Sequence, residues 1–213
     1  MSTIDLDTSP LAGSGEKPVV LASGSRTRAD MLCAAGLRIE IHKPAVDESE
    51  FKRSLRAEGA SAAEVATFLA EMKANTVSRA HPEALVIGAD QMLDLEGEWF
   101  DKPEARAGAA AHLRKLSGKR HSLISAVVVS AGGTRIWHHV ATASLLVRPL
   151  SDDFIEAYLD TIGDRALDSV GAYQLESVGA QLFTSVEGDF FTVLGLPLLP
   201  LLDFMRTHGA LRV

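Results

Sequence analysis

Leu85-Val86-Ile87-Gly88-Ala89-Asp90 is the stretch on which the fold turns. An unbroken run of apolar or small residues predicts a strand buried on both faces. The run ends on a carboxylate. An unpaired aspartate cannot stay deep in an apolar interior, so Asp90 is expected to project into a crevice at the strand's end. There it serves as a general base on water or a metal ligand, or it caps the turn that follows.

Upstream, Pro18-Val19-Val20-Leu21-Ala22 predicts another short buried strand. Ser23-Gly24-Ser25 turns the chain into a helix over Arg26 to Ala35, stopped at Gly36. Leu37 to His42 predicts a strand, followed by a polar loop that holds Val46-Asp47-Glu48. Ser61 with Glu64 three residues on forms a capping box before a long helix. Val65, Phe68, Leu69 and Met72 share its apolar face, with Lys73 at the edge. Downstream, Leu93 to Phe100 around Gly97 predicts a hairpin, and Glu104 to Leu116 an Ala-rich helix. Ser122 to Ser130 and Thr134 to Val147 form a second hairpin across Gly132-Gly133. Ser151 caps a helix to Thr161, a Gly-punctuated stretch runs from Gly163 to Gly188, and Pro197 opens a last helix. Helices alternating with strands, hairpins among them, predict an α/β fold with a mixed sheet. The expected organisation is a polar tail at 1–17 and one domain over 18–213.

Composition narrows the function. The 213 residues are 46% hydrophobic and 23% charged, as in ordinary soluble proteins. The lone cysteine, Cys33, excludes a disulfide framework or a Cys-based zinc site and is expected to be a buried packing residue. No apolar run approaches the roughly 18 residues of a membrane span, and the acidic start with Asp5 and Asp7 is no signal peptide, so a cytoplasmic protein is expected. A net charge of −7 with no aromatic–basic stripe speaks against a nucleic-acid binder. It leaves a nucleotide enzyme open, because a few clustered cations hold a phosphate chain whatever the total charge. Gly13 to Lys17 lacks the spacing of a phosphate loop, no GxSxG or GxGxxG occurs, and the histidines show no metal-ligand spacing.

The candidate site residues each admit two roles. Ser23, Ser25 and the N–H groups of a helix N-terminus suit an anion, Gly24 lets backbone approach it, and Arg28 can reach back to it. The same serine also reads as a simple helix cap beside solvated arginines. Asp47 and Glu48 suit a divalent cation that also binds phosphates, or a solvated surface. Lys73 and Lys102 suit triphosphate charge, or solvent.

Taken in order, Leu-Ala-Ser-x-Ser with Arg28, Val-Asp-Glu (46–48), Leu-Ala-x-x-Lys-Ala (69–74), Ile-Gly-Ala-Asp (87–90), Lys-Pro (102–103), Leu-Ser-Gly (116–118), Gly-Ala-Tyr (171–173) and Val-x-Gly-Leu-Pro (193–197) closely resemble the Maf family. The resemblance implies an elongated mixed-sheet α/β domain of Maf/ITPase kind with a deep cleft, often a homodimer. It also implies a nucleoside triphosphate pyrophosphatase: NTP and water give NMP and pyrophosphate with Mg²⁺ or Mn²⁺. Members are also described as regulators of septum formation, a second, non-catalytic class. Carried over position by position, the family's polar residues match Ser23, Ser25, Arg28, Glu48, Lys73, Asp90 and Lys102, with the proton acceptor at Asp90; the chemistry of the residues themselves then puts the metal at Glu48, with Asp90 as a second ligand. The chain departs from the pattern where Ser25-Arg26-Thr27-Arg28 replaces Ser-Pro-Arg-Arg and where Asp101 replaces Gly before Lys-Pro. Gln91 and Glu176 resemble the branch acting on 7-methyl-GTP, whereas the dTTP/UTP branch carries Thr and Gln there. A carboxylate suits the cationic 7-methylguanine ring and accepts two N–H groups of a guanine edge. Thr27, where that branch often has a large aromatic, departs from it.

Overall fold

A computed structural model describes residues 17–212; the expected tail, except for Lys17, lies outside the described residues. The chain forms two compact units, one from 17–90, 126–140 and 196–212, the other from 91–125 and 141–195. Among the described residues seven strands, β1 (Val19–Ala22), β2 (Glu40–Ile41), β3 (Leu85–Leu95), β4 (Glu98–Phe100), β5 (Arg120–Ala131), β6 (Thr134–Val147) and β7 (Phe183–Glu187), make one mixed sheet. Their order is β2-β1-β3-β5-β6-β7, with β4 paired to β3.

The first unit is built on β1 (Val19–Ala22), which pairs in parallel with β2 (Glu40–Ile41) and with the start of β3 (Leu85–Leu95). Parallel neighbours require crossovers. α1 (Arg26–Ala34) joins β1 to β2, while α2 (Glu48–Ala57) and α3 (Ala62–Ser78) lie between β2 and β3. The expected strand from Leu37 to His42 shrinks to two exposed residues. Leu37 closes α1 instead: beyond Gly36, at φ +89°, its N–H bonds the Leu32 carbonyl and its side chain is fully buried. The predicted capping box is present, Ser61 N–H donating to Glu64 at 2.8 Å and Glu64 N–H to the Ser61 hydroxyl at 3.3 Å.

The buried face of α3 differs from the expected one. It runs through Ala62, Val65, Ala66, Leu69, Ala70, Lys73, Ala74 and Val77, so Lys73 lies within it rather than at its edge. Phe68 stays 37% exposed and meets Phe51 of α2 instead, ring centroids 5.5 Å apart. The alanines let α3 lie directly on β3 at Gly88, where a Cβ would fall 2.2 Å from the Ala70 carbonyl oxygen. β5 (Arg120–Ala131) and β6 (Thr134–Val147) turn at Gly132 and Gly133, φ +55° and +81°. Two successive positive φ values make this the two-residue turn that matches strand twist. The last helix, α7 (Leu198–Thr207), buries Leu198, Leu201, Leu202 and Met205 as expected.

The second unit has its own core. Leu113 and Leu116 of α4 (Arg106–Leu116), Ile155 and Leu159 of α5 (Asp152–Ile162), and Leu93, Leu123 and Leu145 from the strands are all buried there. β3 forms the predicted hairpin with β4 (Glu98–Phe100), and β6 pairs antiparallel with β7 (Phe183–Glu187). β7 and the short α6 (Phe190–Val193) are elements that the sequence reading left unassigned.

This core encloses His121, whose Nε2 lies 2.6 Å from the Tyr173 hydroxyl while Nδ1 is buried with no partner. Burial pushes the imidazole down from 6.5 to about 4. The unfolded chain therefore binds a proton that the folded chain refuses between those values. The stability tied to neutral His121 is whole above pH 6.5 and is lost as pH falls towards 4, roughly 3 kcal/mol in all. Urea melts at pH 7 and pH 4.5 are expected to show that fall in the wild type and a much smaller one in His121→Gln.

Candidate active site

Four charged side chains of the first unit converge. Lys73 is delivered by the buried face of α3 and Asp90 by the middle of β3, which runs on to Leu95 instead of ending in a turn at the carboxylate as expected; their contact is a 2.7 Å bond between Nζ and Oδ1. Both side chains are over nine-tenths buried, at 8% and 6% exposure. Lys73 Nζ also lies 2.9 Å from Oε1 of Glu48, the first residue of α2. One ammonium thus holds two carboxylates.

Glu48 reaches this position because its neighbour is a cap. Asp47 is the N-cap of α2, its side chain accepting from Glu50 N–H at 3.3 Å and from the Ser49 hydroxyl at 2.8 Å. The expected carboxylate pair in a loop is therefore split: Asp47 starts a helix, and Glu48 alone enters the cluster. Burial pushes the Glu48 carboxyl up. Lys73, with smaller contributions from Lys52 and Arg28, more than offsets that and holds it below the ordinary range. Lys52 stands one turn along from Glu48, an i,i+4 pair that is readable in the sequence but was not singled out there.

Arg28 completes the group. Its Nη1 donates to the Ala89 carbonyl at 2.9 Å and to the Ser23 hydroxyl at 3.3 Å. Ser23 also accepts from Ser25 N–H at 3.2 Å, while Ser25 caps α1 by accepting from Arg28 N–H at 3.4 Å. Ser25 is thus the cap that one role gave it, and Ser23 is a buried hydroxyl on the arginine. Burial lowers Arg28, with Asp90 and Glu48 acting to raise it. Cys33, half-buried on α1, has its thiol pushed up by burial and then by Asp30, the reverse of an activated nucleophile.

Ser23, Ser25, Arg28, Glu48, Lys73 and Asp90 therefore form one connected network. Gln91, Lys102 and Glu176 belong to the other unit. There Gln91 Nε2 donates to the Ser125 hydroxyl at 3.0 Å and to the Thr192 and Val193 carbonyls at 3.1 and 3.0 Å, which fixes its amide against α6. Lys102 is exposed between β4 and α4, beside buried Pro103. Glu176 is exposed; burial pushes the Tyr158 hydroxyl up to about 12, and the charge of Glu176 adds to that push.

Asp90 Oδ2 is buried and has no hydrogen-bond partner. Among the described residues no group of three or more His, Cys, Asp or Glu could cage a metal. Two carboxylates, one with an unused buried oxygen, fit instead a cation such as Mg²⁺ that takes one or two protein ligands and completes its shell with phosphate oxygens and water.

A buried carboxylate–ammonium cluster thus lies beside a serine turn and a helix N-terminus, carried on a mixed α/β sheet. The chain belongs to the Maf-like protein family, whose model matches residues 18–208. It is 55% identical over 192 residues to a protein of Paramagnetospirillum magneticum named nucleoside triphosphate pyrophosphatase, covering 90% of this chain and 99% of that one. It is 50% identical over 196 residues to a Rhizobium meliloti protein named 7-methyl-GTP pyrophosphatase, covering 92% and 98%. Among solved structures, the nucleoside-triphosphatase/dITP/XTP pyrophosphatase of Mycobacterium abscessus aligns over 90% of this chain and 94% of that one, with 13% identity and a TM-score of 0.42. Among the described residues no helix is long and apolar enough to cross a membrane.

Proposed function

We propose that this chain is a cytoplasmic nucleoside triphosphate pyrophosphatase that converts an NTP and water into NMP and pyrophosphate. The observation that carries the reading is Lys73 held between Glu48 and Asp90, with Oδ2 of Asp90 left unpartnered. A carboxylate that keeps one buried oxygen unused can accept a proton from a water placed against it. In the reaction, the water oxygen attacks the α-phosphorus as Asp90 takes its proton. The bond from that phosphorus to the α–β bridging oxygen breaks, and pyrophosphate leaves with the electron pair.

Lys73 orients Asp90, while Arg28 with the Ser23–Ser25 turn takes phosphate charge. Glu48 and Asp90 are the residues to hold a divalent cation, Mg²⁺ or Mn²⁺, which when bound neutralises phosphate charge and makes water more acidic. Lys102 adds positive charge for the phosphates, and Gln91 and Glu176 are assigned to the base. A carboxylate at position 176 favours a positively charged 7-methylguanine over a neutral base, in line with the name of the Rhizobium relative.

The test is pyrophosphate release from a panel of canonical and methylated nucleoside triphosphates with either cation. Turnover of 7-methyl-GTP above the rest is expected. Preference for dTTP or UTP would keep the chemistry and remove the role given to Glu176. Binding without turnover of any nucleotide would make the chain a regulator instead.

A further inference from the structure

Lys43 stands in the segment between β2 and α2, two residues after Ile41, and no sequence pattern marks it. Its stem lies on Gly24, the middle residue of the Ser23-Gly24-Ser25 turn. A Cβ built on that glycine would sit 3.4 Å from Lys43 Cδ and 3.6 Å from both Cε and Cγ. Three consecutive stem atoms therefore lie in van der Waals contact with the place where a Cβ at position 24 would stand, and the ammonium is one bond further on. The residue is exposed, and among the described residues no carboxylate forms an ion pair with it. The buried cluster is different: Arg28 and Lys73 face Glu48 and Asp90, so its four charges already sum to zero. A polyphosphate drawn to Arg28 there brings several negative charges, and a cluster with no net charge balances them only in part.

We propose that Lys43 is a further phosphate-binding residue, seated on the side-chain-free Gly24 so that its ammonium meets the polyphosphate of the substrate at the Ser23–Ser25 turn. The proposal rests on the pyrophosphatase reading above. It makes Gly24 a seat for a cation as well as a place of close backbone approach.

The test separates charge from packing. Lys43→Met keeps an unbranched stem on Gly24 and removes the ammonium. It is expected to raise KM for the preferred triphosphate about tenfold with kcat within about twofold, as for the loss of one charge-assisted contact. The rise is expected to shrink as salt is added, because an exposed charge is screened. Lys43→Arg is expected to restore most of the loss. Gly24→Val, whose branches fill the seat, is expected to raise KM itself and to make a further Lys43→Met change nearly silent. A Lys43→Met enzyme with wild-type KM at low salt, or one whose defect is equal at all salt concentrations, would overturn the role of Lys43 and leave the activity standing. A wild-type chain that neither turns over nor binds any triphosphate would overturn the activity, and this role with it.

Discussion

Asp90→Asn is expected to lower kcat by at least about a hundredfold, the scale of a lost general base. Asparagine matches the size of aspartate, and its carbonyl oxygen can still accept from Lys73, so the backbone of β3 and the seat of Arg28 on Ala89 stay in place. What disappears is the proton-accepting oxygen and one of the two negative charges on Lys73. The measurement is pyrophosphate release with the preferred nucleotide, beside nucleotide binding measured directly. Binding retained within about tenfold with turnover gone places Asp90 in the chemical step. A near-wild-type rate would take the base role from Asp90, and Glu48, the other carboxylate on Lys73, would be its heir.

Gly88→Ala is expected to be the most damaging single methyl group in the first unit. The added Cβ would lie 2.2 Å from the Ala70 carbonyl oxygen, 2.8 Å from Ala74 N and 2.9 Å from Ala74 Cβ. Two of these three atoms are helix backbone, so no side chain can swing away; α3 must lift from β3. Overpacking a tight core costs about 1–3 kcal/mol when side chains can adjust, and a rigid obstacle puts this substitution at or above about 3 kcal/mol. Lifting α3 also draws Lys73 from Asp90, so residual folded protein should have lost activity. Gly108→Ala in α4 supplies the contrast. Its new methyl meets only Pro103, at 3.4 Å from Cβ, and a helix-interior alanine is expected to hold or raise stability by up to about 1 kcal/mol. Urea melts of the two variants check both; a Gly88→Ala protein as stable as wild type would mean that the α3–β3 contact is loose.

The elements that the sequence made legible are those whose local chemistry and burial agree. The Ser61–Glu64 capping box and the Gly132-Gly133 turn each carry their own signal, and the structure has both; the run from Leu85 is a strand as expected, but it continues through Asp90 to Leu95, because a carboxylate paired with an ammonium does not break the ladder. α2 was hidden because it buries no residue, so its few apolar side chains make no core stripe. Lys73 was misplaced because a hydrophobicity count treats lysine as polar, whereas a lysine paired with two carboxylates can be buried at 6% exposure. Of the candidate residues, the Ser-x-Ser turn, Arg28, Glu48 and Asp90 were visible as chemistry in order along the chain. That Asp47 caps while Glu48 pairs could not be read from two adjacent acids. Nor could Lys43 be found, since its stem meets Gly24, 19 positions away in the chain, only once the chain is folded.

The order in which the two units take their residues from the chain has a practical side. The polypeptide passes from one to the other four times, after residues 90, 125, 140 and 195. Neither unit is a contiguous fragment. A piece spanning 91–195 contains all of the second but carries the Gly132-Gly133 hairpin tip away from the first, and no single cut releases either intact. Expression of halves, domain grafting and fragment complementation at one break all divide β3, β5 or β6, or strand α7 from the β1–α3 segment it belongs with. The protein is thus to be handled, mutated and evolved as one inseparable length of chain.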